Sequence, residues 1–329
     1  MVNIVIKKRD ESLSLGGIQA SIKRLHPRHE AIPILTAKAS SLEAGISGEI
    51  KLAETLRKHS FPFEHRVFHD LSLVSSALFQ IDTLFLTRFY AVVFEVKNIG
   101  GRLEFKDDPP QLVRRRETGE VDGFESPAAQ VERNGDLLEL WLKGHGIQIP
   151  VYRIVVLAYP KQIIDKAPAK TQVLFPNYVP PFIHALPRKQ AILDSKTFRW
   201  LTAKLLNSHI NYIPRPVCDI YNIPPRDIQT GVICSHCDAI GMVKIKRSWR
   251  CRSCGSLDHK AHERGVREWF LIMGREMTNK DCREFLRVDM NTASRILCSM
   301  DLNSIGSCRY RKYTINFHKK DNKRADGLL

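Results

Sequence analysis

No apolar run in the 329-residue sequence approaches the ~18 residues that a membrane-spanning helix requires. A secretory signal is missing too: MVNIVIKKRDES places its apolar residues before its charges, and no small-residue cleavage site follows. Both absences predict a cytoplasmic protein. Acidic residues are in short supply, with 35 Asp and Glu against 51 Lys and Arg, for a net charge of +16 and a pI near 9.6. Such an imbalance points to a polyanionic partner, nucleic acid first and an anionic membrane surface second, although charge alone can also serve solubility. Also lacking is a disulfide framework. Of eight cysteines, four have metal-site spacing and Cys218, Cys282, Cys298 and Cys308 are scattered. Hydrophobic content of 43% and charged content of 26% are those of an ordinary globular protein, long enough for two or three domains with real cores.

The chain is organised around residues 81–101, IDTLFLTRFYAVVFEVKNIGG. Two apolar runs, residues 80–87 and 91–96, flank Arg88-Phe89-Tyr90 and predict a largely buried β-hairpin. Buried strands rarely carry charge, because an unpaired ion in an apolar layer costs several kcal/mol. This hairpin nevertheless holds Asp82, Glu95 and Lys97. Glu95 and Lys97 are two apart on one strand and so share a face, which an Asp on the adjacent strand can join. Two carboxylates and an ammonium suit metal-assisted attack on a phosphodiester. The acids hold Mg²⁺ or Mn²⁺, the metal activates water, and the lysine orients or helps deprotonate it. The alternative is an exposed salt bridge on an edge strand.

Around the hairpin the pattern continues in order. Residues 1–40 are basic, interrupted by Pro27 and Pro33, and predict at most one helix near 18–25. From Ser41, Ile46, Ile50, Ala53 and Leu56 fall at helical spacing with Glu49 in the first turns. There Glu49 either favours the helix dipole or supplies a third carboxylate. A strand follows near 64–69, then the hairpin. Residues 102–127 read as a polar loop in which Arg114, Arg115 and Arg116 are either simply solvated or phosphate-binding. Pro127 can open the next helix, with Gln130 and Arg133 near its start and Leu138, Trp141 and Leu142 on its apolar stripe. VYRIVVLAY predicts a buried strand. The order is helix, three strands, helix, strand.

The run from about 46 to 159, with Gly48-Glu49, Gln80-Ile81-Asp82, Phe94-Glu95-Val96-Lys97-Asn98, Gly101 and Pro127-x-x-Gln130, resembles the NERD (nuclease-related) domain of the PD-(D/E)xK superfamily. The resemblance implies an α/β, restriction-endonuclease-like α-β-β-β-α-β core. It also implies metal coordination by Asp82 and Glu95, a catalytic Lys97, and supporting roles for Glu49 and Gln130. The full layout, with the modules below, is similar to that of NERD proteins of Bacillus-type bacteria.

Residues 160–213 predict completion of this domain, giving it the span 41–213 after an N-terminal extension, 1–40. Pro214, Pro216, Pro224 and Pro225 mark 214–230 as an extended linker. Cys234-x-x-Cys237 and Cys251-x-x-Cys254, with thirteen residues between the pairs, supply four thiolates for a structural Zn²⁺ and predict a zinc ribbon over 231–258. Lys246, Arg247 and Arg250, with Trp249 interleaved, suit a nucleic-acid surface; a protein contact is the alternative. Residues 262–318 read as helix, turn, helix and wing, resembling the small winged-helix class. Arg295, beside Asn291, Thr292 and Ser294, would then lie on the recognition helix, and Arg309, Arg311 and Lys312 on the wing. Short helical bundles that bind protein give a similar pattern. From Pro214 onward 22 basic residues face 13 acidic ones, against 29 and 22 before it, so the shorter part is the more basic. The tail, 319–329, is basic and reads as disordered.

Together these expectations describe a metal-dependent nuclease with Mg²⁺ or Mn²⁺ at the active site and structural Zn²⁺. Its partner would be nucleic acid, DNA before RNA, and a homo-oligomer is compatible. The competing expectation is a non-catalytic nucleic-acid-binding or regulatory protein. Against it, such a module has no need of two carboxylates where phosphates must sit.

Overall fold

The computed structural model describes residues 5–307 and 310–317. Arg309 and the tail 319–329 lie outside the described residues. The chain begins with β1 (Val5–Lys7), α1 (Leu13–Arg24) and α2 (Ile32–Lys58). Six strands follow: β2 (His65–Val74), β3 (Leu78–Thr87), β4 (Ala91–Lys97), β5 (Arg102–Asp107), β6 (Pro110–Arg115) and β7 (Val121–Glu125). Then come α3 (Pro127–Gly144), β8 (Val151–Leu157), β9 (Ile163–Lys166), β10 (Gln172–Leu174), α4 (Val179–Ala185) and α5 (Ser195–Asn207). The C-terminal part holds α6 (Val217–Tyr221), β11 (Val243–Lys244), β12 (Trp249–Arg250), β13 (Leu257–Asp258) and α7 (Ala261–Ile272). It ends with β14 (Met277–Thr278), α8 (Asn279–Leu286), α9 (Met290–Ser299), β15 (Leu302–Ile305) and β16 (Lys312–Ile315). Among the described residues no helix is long and apolar enough to cross a membrane.

The elements form two compact units, residues 1–11 with 43–212, and residues 12–42 with 213–329. The expected N-terminal extension is therefore not a module of its own. Its first residues join one unit and the remainder joins the other.

In the first unit a six-stranded mixed sheet has the order β1-β2-β3-β4-β8-β10. β2, β3 and β4 are antiparallel neighbours, whereas β1, β8 and β10 pair in parallel. The sequence α2-β2-β3-β4, then α3-β8, follows the expected element order. One core packs Leu84 and Val93 with Leu138, Trp141 and Phe198. The other packs Phe85 and Phe94 with Leu52, Leu56 and Ile183. Leu84 and Val93 are cross-strand partners, as are Phe85 and Val92, so the alternation of adjacent residues sorts the two cores.

That alternation slips at one place. Phe68 and Leu71 of β2, and Ile81 and Leu84 of β3, all join the same core although three residues apart. Between them Asp70 takes a left-handed backbone with φ 55°, a conformation that Asp tolerates better than most residues.

The expected basic loop after Gly101 is instead a second sheet, ordered β7-β6-β5-β9. Cross-strand pairs hold it: Arg114 faces Asp122 in register and donates to it at 2.6 and 2.9 Å. Gly101 opens this sheet at φ 106°, where a Cβ would come 2.8 Å from the Arg115 carbonyl.

α2 begins at Ile32, with Pro33 in its first turn, where proline fits a helix because that N–H has no intrahelical partner. Glu49 therefore sits well inside the helix rather than in its first turns, and the dipole reading falls. Gly48 lets α2 approach the sheet closely, since a Cβ there would meet Asn98 Cβ at 3.0 Å and Ala158 Cβ at 3.2 Å. Asn98 Nδ2 donates to the Ala44 carbonyl at 2.9 Å across the same approach.

The second unit has one core, built from Ile18, Leu25 and Leu35 together with Trp249, Phe270 and Phe285. Residues 214–230 are not a linker. Val217, Cys218, Ile223 and Ile228 are buried in this core, and the prolines there cap or flank short helical turns. β11, β12 and β13 form a small antiparallel sheet. After α7, the elements run β14, α8, α9, β15, β16, with a sheet ordered β14-β16-β15. Arg24, fully buried, ties α1 to the C-terminal part. It donates to Glu268 at 2.6 and 3.0 Å and to the carbonyls of Gln229 and Gly231, both at 2.9 Å.

Candidate active site and metal centre

β4 lies between β3 and β8 and is interior to its sheet. Glu95 is 4% exposed, so the acidic pair is not an exposed salt bridge on an edge strand. Asp82, half-buried at the slip in β3, accepts the Val96 N–H on Oδ2 at 2.8 Å. Lys97 Nζ donates to Glu95 Oε1 at 2.6 Å. The three hairpin residues are thus brought together. Burial raises both carboxyls: Asp82 moves up, and Glu95 is pushed to about 7, with the Asp82 charge adding to the rise and Lys97 opposing it.

Asp82 Oδ1 and Glu95 Oε2 remain after these hydrogen bonds, two hard anionic oxygens on neighbouring strands. That donor chemistry fits Mg²⁺ or Mn²⁺. Glu49 is half-buried on α2 and paired with Arg9. Gln130 is half-buried in the first turn of α3.

Sequence reasoning missed a group delivered by β1 and β2. Lys7, buried, donates to Asp10 at 2.9 Å and to the His69 carbonyl at 3.2 Å. Burial, reinforced by Lys7 and Arg9, lowers His69 to about 4; its Nδ1 lies 3.0 Å from Thr83 Oγ1. Gln80 Nε2 donates to Asp70 Oδ1 at 2.6 Å, which gives Gln80 of the Gln80-Ile81-Asp82 motif a positioning task. Asp70 left one visible signal, the single carboxylate of its strand. Arg9 and Lys7 left none, because β1 is three residues long and meets β2 some sixty positions away.

The three arginines of β6 and its turn are all engaged. Arg114 and Arg116 pair with Asp122, Arg116 also with Glu120 at 3.1 Å, and Arg115 with Glu104 at 3.7 Å. They are cross-strand ties rather than free phosphate ligands.

In the second unit Cys234, Cys237, Cys251 and Cys254 bring their sulfurs within 4.8 Å of one another. Cys237 and Cys251 are 3.5 Å apart, and Cys234 and Cys254 3.7 Å. A disulfide needs about 2.05 Å, whereas four ligands at ~2.3 Å around tetrahedral zinc stand about 3.8 Å apart. The set fits a metal such as zinc. Ser256 Oγ, 3.1 Å from both Cys234 and Cys254, lowers Cys234 to about 6 and lowers Cys254 also.

Trp249 does not lie on the expected nucleic-acid surface. It is fully buried in the core, with Nε1 donating to His262 Nδ1 at 3.2 Å. Lys246, Arg247 and Arg250 beside it are exposed, and among the described residues none has an acidic partner. Arg295 is exposed on α9, while Thr292 is buried and capped by Asp289. Arg311 is exposed, and Lys312 pairs with Glu276 at 2.6 Å.

Residues 44–158, roughly a third of the chain, match the family model of the nuclease-related domain, NERD. No curated protein and no solved structure matches the chain. The chain therefore carries a nuclease-related domain, and Asp82, Glu95 and Lys97 all fall within it.

Proposed function

We propose that this protein is a divalent-metal-dependent nuclease that hydrolyses phosphodiester bonds in DNA. The observation that carries the reading is the half-buried Asp82 beside the buried Glu95, each acid with one oxygen left over, and Lys97 bonded to Glu95, inside a nuclease-related domain. When bound, Mg²⁺ or Mn²⁺ polarises a phosphate and lowers the pKa of water. Asp82 and Glu95 hold the ion, Asp82 being fixed by the Val96 amide. Lys97 orients the attacking water, and Gln130 supports the site from α3.

Delivery to DNA falls to the second unit. Its ribbon cations lack acidic partners among the described residues, in contrast to the paired arginines of the first unit. The order α7-β14-α8-α9-β15-β16, with β16 central in its sheet, supports a winged-helix reading. That reading places Arg295 in the major groove and Arg311 on the wing.

The test is cleavage of labelled single- and double-stranded DNA with Mg²⁺ or Mn²⁺ by the unmodified protein, Asp82→Ala and Lys97→Ala. The expected outcome is cutting by the first and a loss of about a hundredfold or more in both variants, with binding retained. Binding by all three without any cutting would make the protein a recognition module. Equal cutting by all three would place the chemistry elsewhere.

A further inference from the structure

A cavity of about 250 Å³ opens beside Glu49, between the N-terminal strand and α2, in a part of the first unit that the family match only partly covers. Val5, Ile50 and Ala53 give it apolar walls, and His69 closes one side. Its volume falls just below the ~300 Å³ at which small-ligand pockets begin, which suits one compact group rather than an extended ligand.

Its charges are unevenly spent. Arg9 and Glu49, both lining the cavity, neutralise each other, and Glu54 faces Lys58 at 4.0 Å. Lys8 and Arg57 are left exposed at the rim with no acidic partner among the described residues. His69 is uncharged at neutral pH, so it offers a ring face rather than a cation. The cavity lining also acts on the acidic pair, since the charge of Arg9 opposes the rise in Asp82.

We propose that this cavity is a subsite for one unpaired nucleotide of the substrate strand, with the phosphate held by Lys8 and Arg57 and the base or sugar laid against Val5, Ile50 and Ala53. Apolar or ring surfaces for a base beside cations for the backbone are how single strands are held without regard to sequence. The subsite rests on the reading of Asp82 and Glu95 as the cleavage site. It adds that the strand reaches them unpaired on the β1 side. Arg9 is then a positioning residue, holding Glu49 at the boundary between subsite and acids.

The experiment measures binding of a short fluorescein-labelled oligothymidylate by anisotropy, with Ca²⁺ replacing Mg²⁺ to hold back turnover. It compares the full chain, Lys8→Ala with Arg57→Ala, and a charge-matched control, Lys106→Ala with Lys166→Ala, on the other sheet. All four residues are exposed, so the fold should survive. The subsite variant should lose roughly tenfold in affinity, the equivalent of one charge-assisted hydrogen bond. Its salt slope should become shallower by about 0.7 for each phosphate that is no longer neutralised. A 4-thiothymidine in the oligomer should photo-crosslink to residues 5–9 or 49–57. Equal losses in the two variants, or crosslinks found only elsewhere, would overturn the subsite and leave the nuclease reading untouched. Crosslinking here by a chain that never cleaves would sink the nuclease reading, and the substrate subsite with it, and leave the cavity as a site that only binds single strands.

Discussion

Replacing Arg24 by Met should strongly destabilise the second unit, although the position lies in a segment with no motif. Arg24 is fully buried, and its guanidinium bonds Glu268 twice, donates to two backbone carbonyls and lies 4.4 Å over the Phe285 ring. Removing one partner of a buried ion pair costs about 3–5 kcal/mol, because the other charge stays behind in an apolar setting. Here Arg264 keeps its own bond to Glu268 Oε1 at 2.7 Å, which offsets part of that. The orphaned carbonyls of Gln229 and Gly231 add about 1–3 kcal/mol each wherever water cannot reach them. A net loss of about 4 kcal/mol follows, a large share of the roughly 5–15 kcal/mol that holds a typical domain together. Arg24→Met with Glu268→Met should recover roughly half of it, since only the carbonyls then remain unpartnered. Equilibrium denaturation followed by tryptophan emission reads this directly, as Trp249 and Trp269 both lie in this core. A loss under about 1 kcal/mol for the single variant, or no recovery in the double, would refute the reasoning.

Three further outcomes are expected. His69 is held neutral in the fold, so its contribution to stability is complete above pH 6.5 and is lost as the pH falls from 6.5 toward 4, about 3 kcal/mol in all; melting curves across that range should flatten in His69→Asn, and an unchanged slope would remove His69 as the cause. Trp249→Ala should destabilise the second unit by about 3–5 kcal/mol, whereas Arg250→Ala should leave stability within ~0.5 kcal/mol and weaken DNA binding with a shallower salt slope. Chelation of the metal, or Cys251→Ser, should shift Trp249 emission to the red as the ribbon opens; unchanged emission would mean that the four thiols hold the ribbon without an ion.

The hairpin was legible because its evidence is local. Asp82, Glu95 and Lys97 stand out as charges in apolar runs, and a period of two says which of them share a face. The four cysteines were legible for a similar reason, since the metal imposes their spacing. What escaped depends on pairing across long stretches of chain. Arg114 and Arg116 look like a basic loop until Asp122 is placed opposite them on the next strand. Pro33 looks like a helix breaker until it proves to be in the first turn, and that one shift moves Glu49 from the start of α2 to its interior. Residues 214–230 read as a linker because their prolines are visible and the burial of Val217 and Ile228 is not. Trp249 between cations looked like a stacking platform, but β12 points it inward.

The pairing of Arg24 with Glu268, 244 positions apart, also sets an order on the making of the protein. A ribosome synthesises residues 43–212 before residues 213–329, so the nuclease-related unit leaves it first. The first unit can thus fold while α1 waits, its buried arginine still in water. Only when α7 emerges can the second unit close around that helix, so a chain interrupted near residue 212 would release the nuclease-related unit without the half proposed to deliver it to DNA.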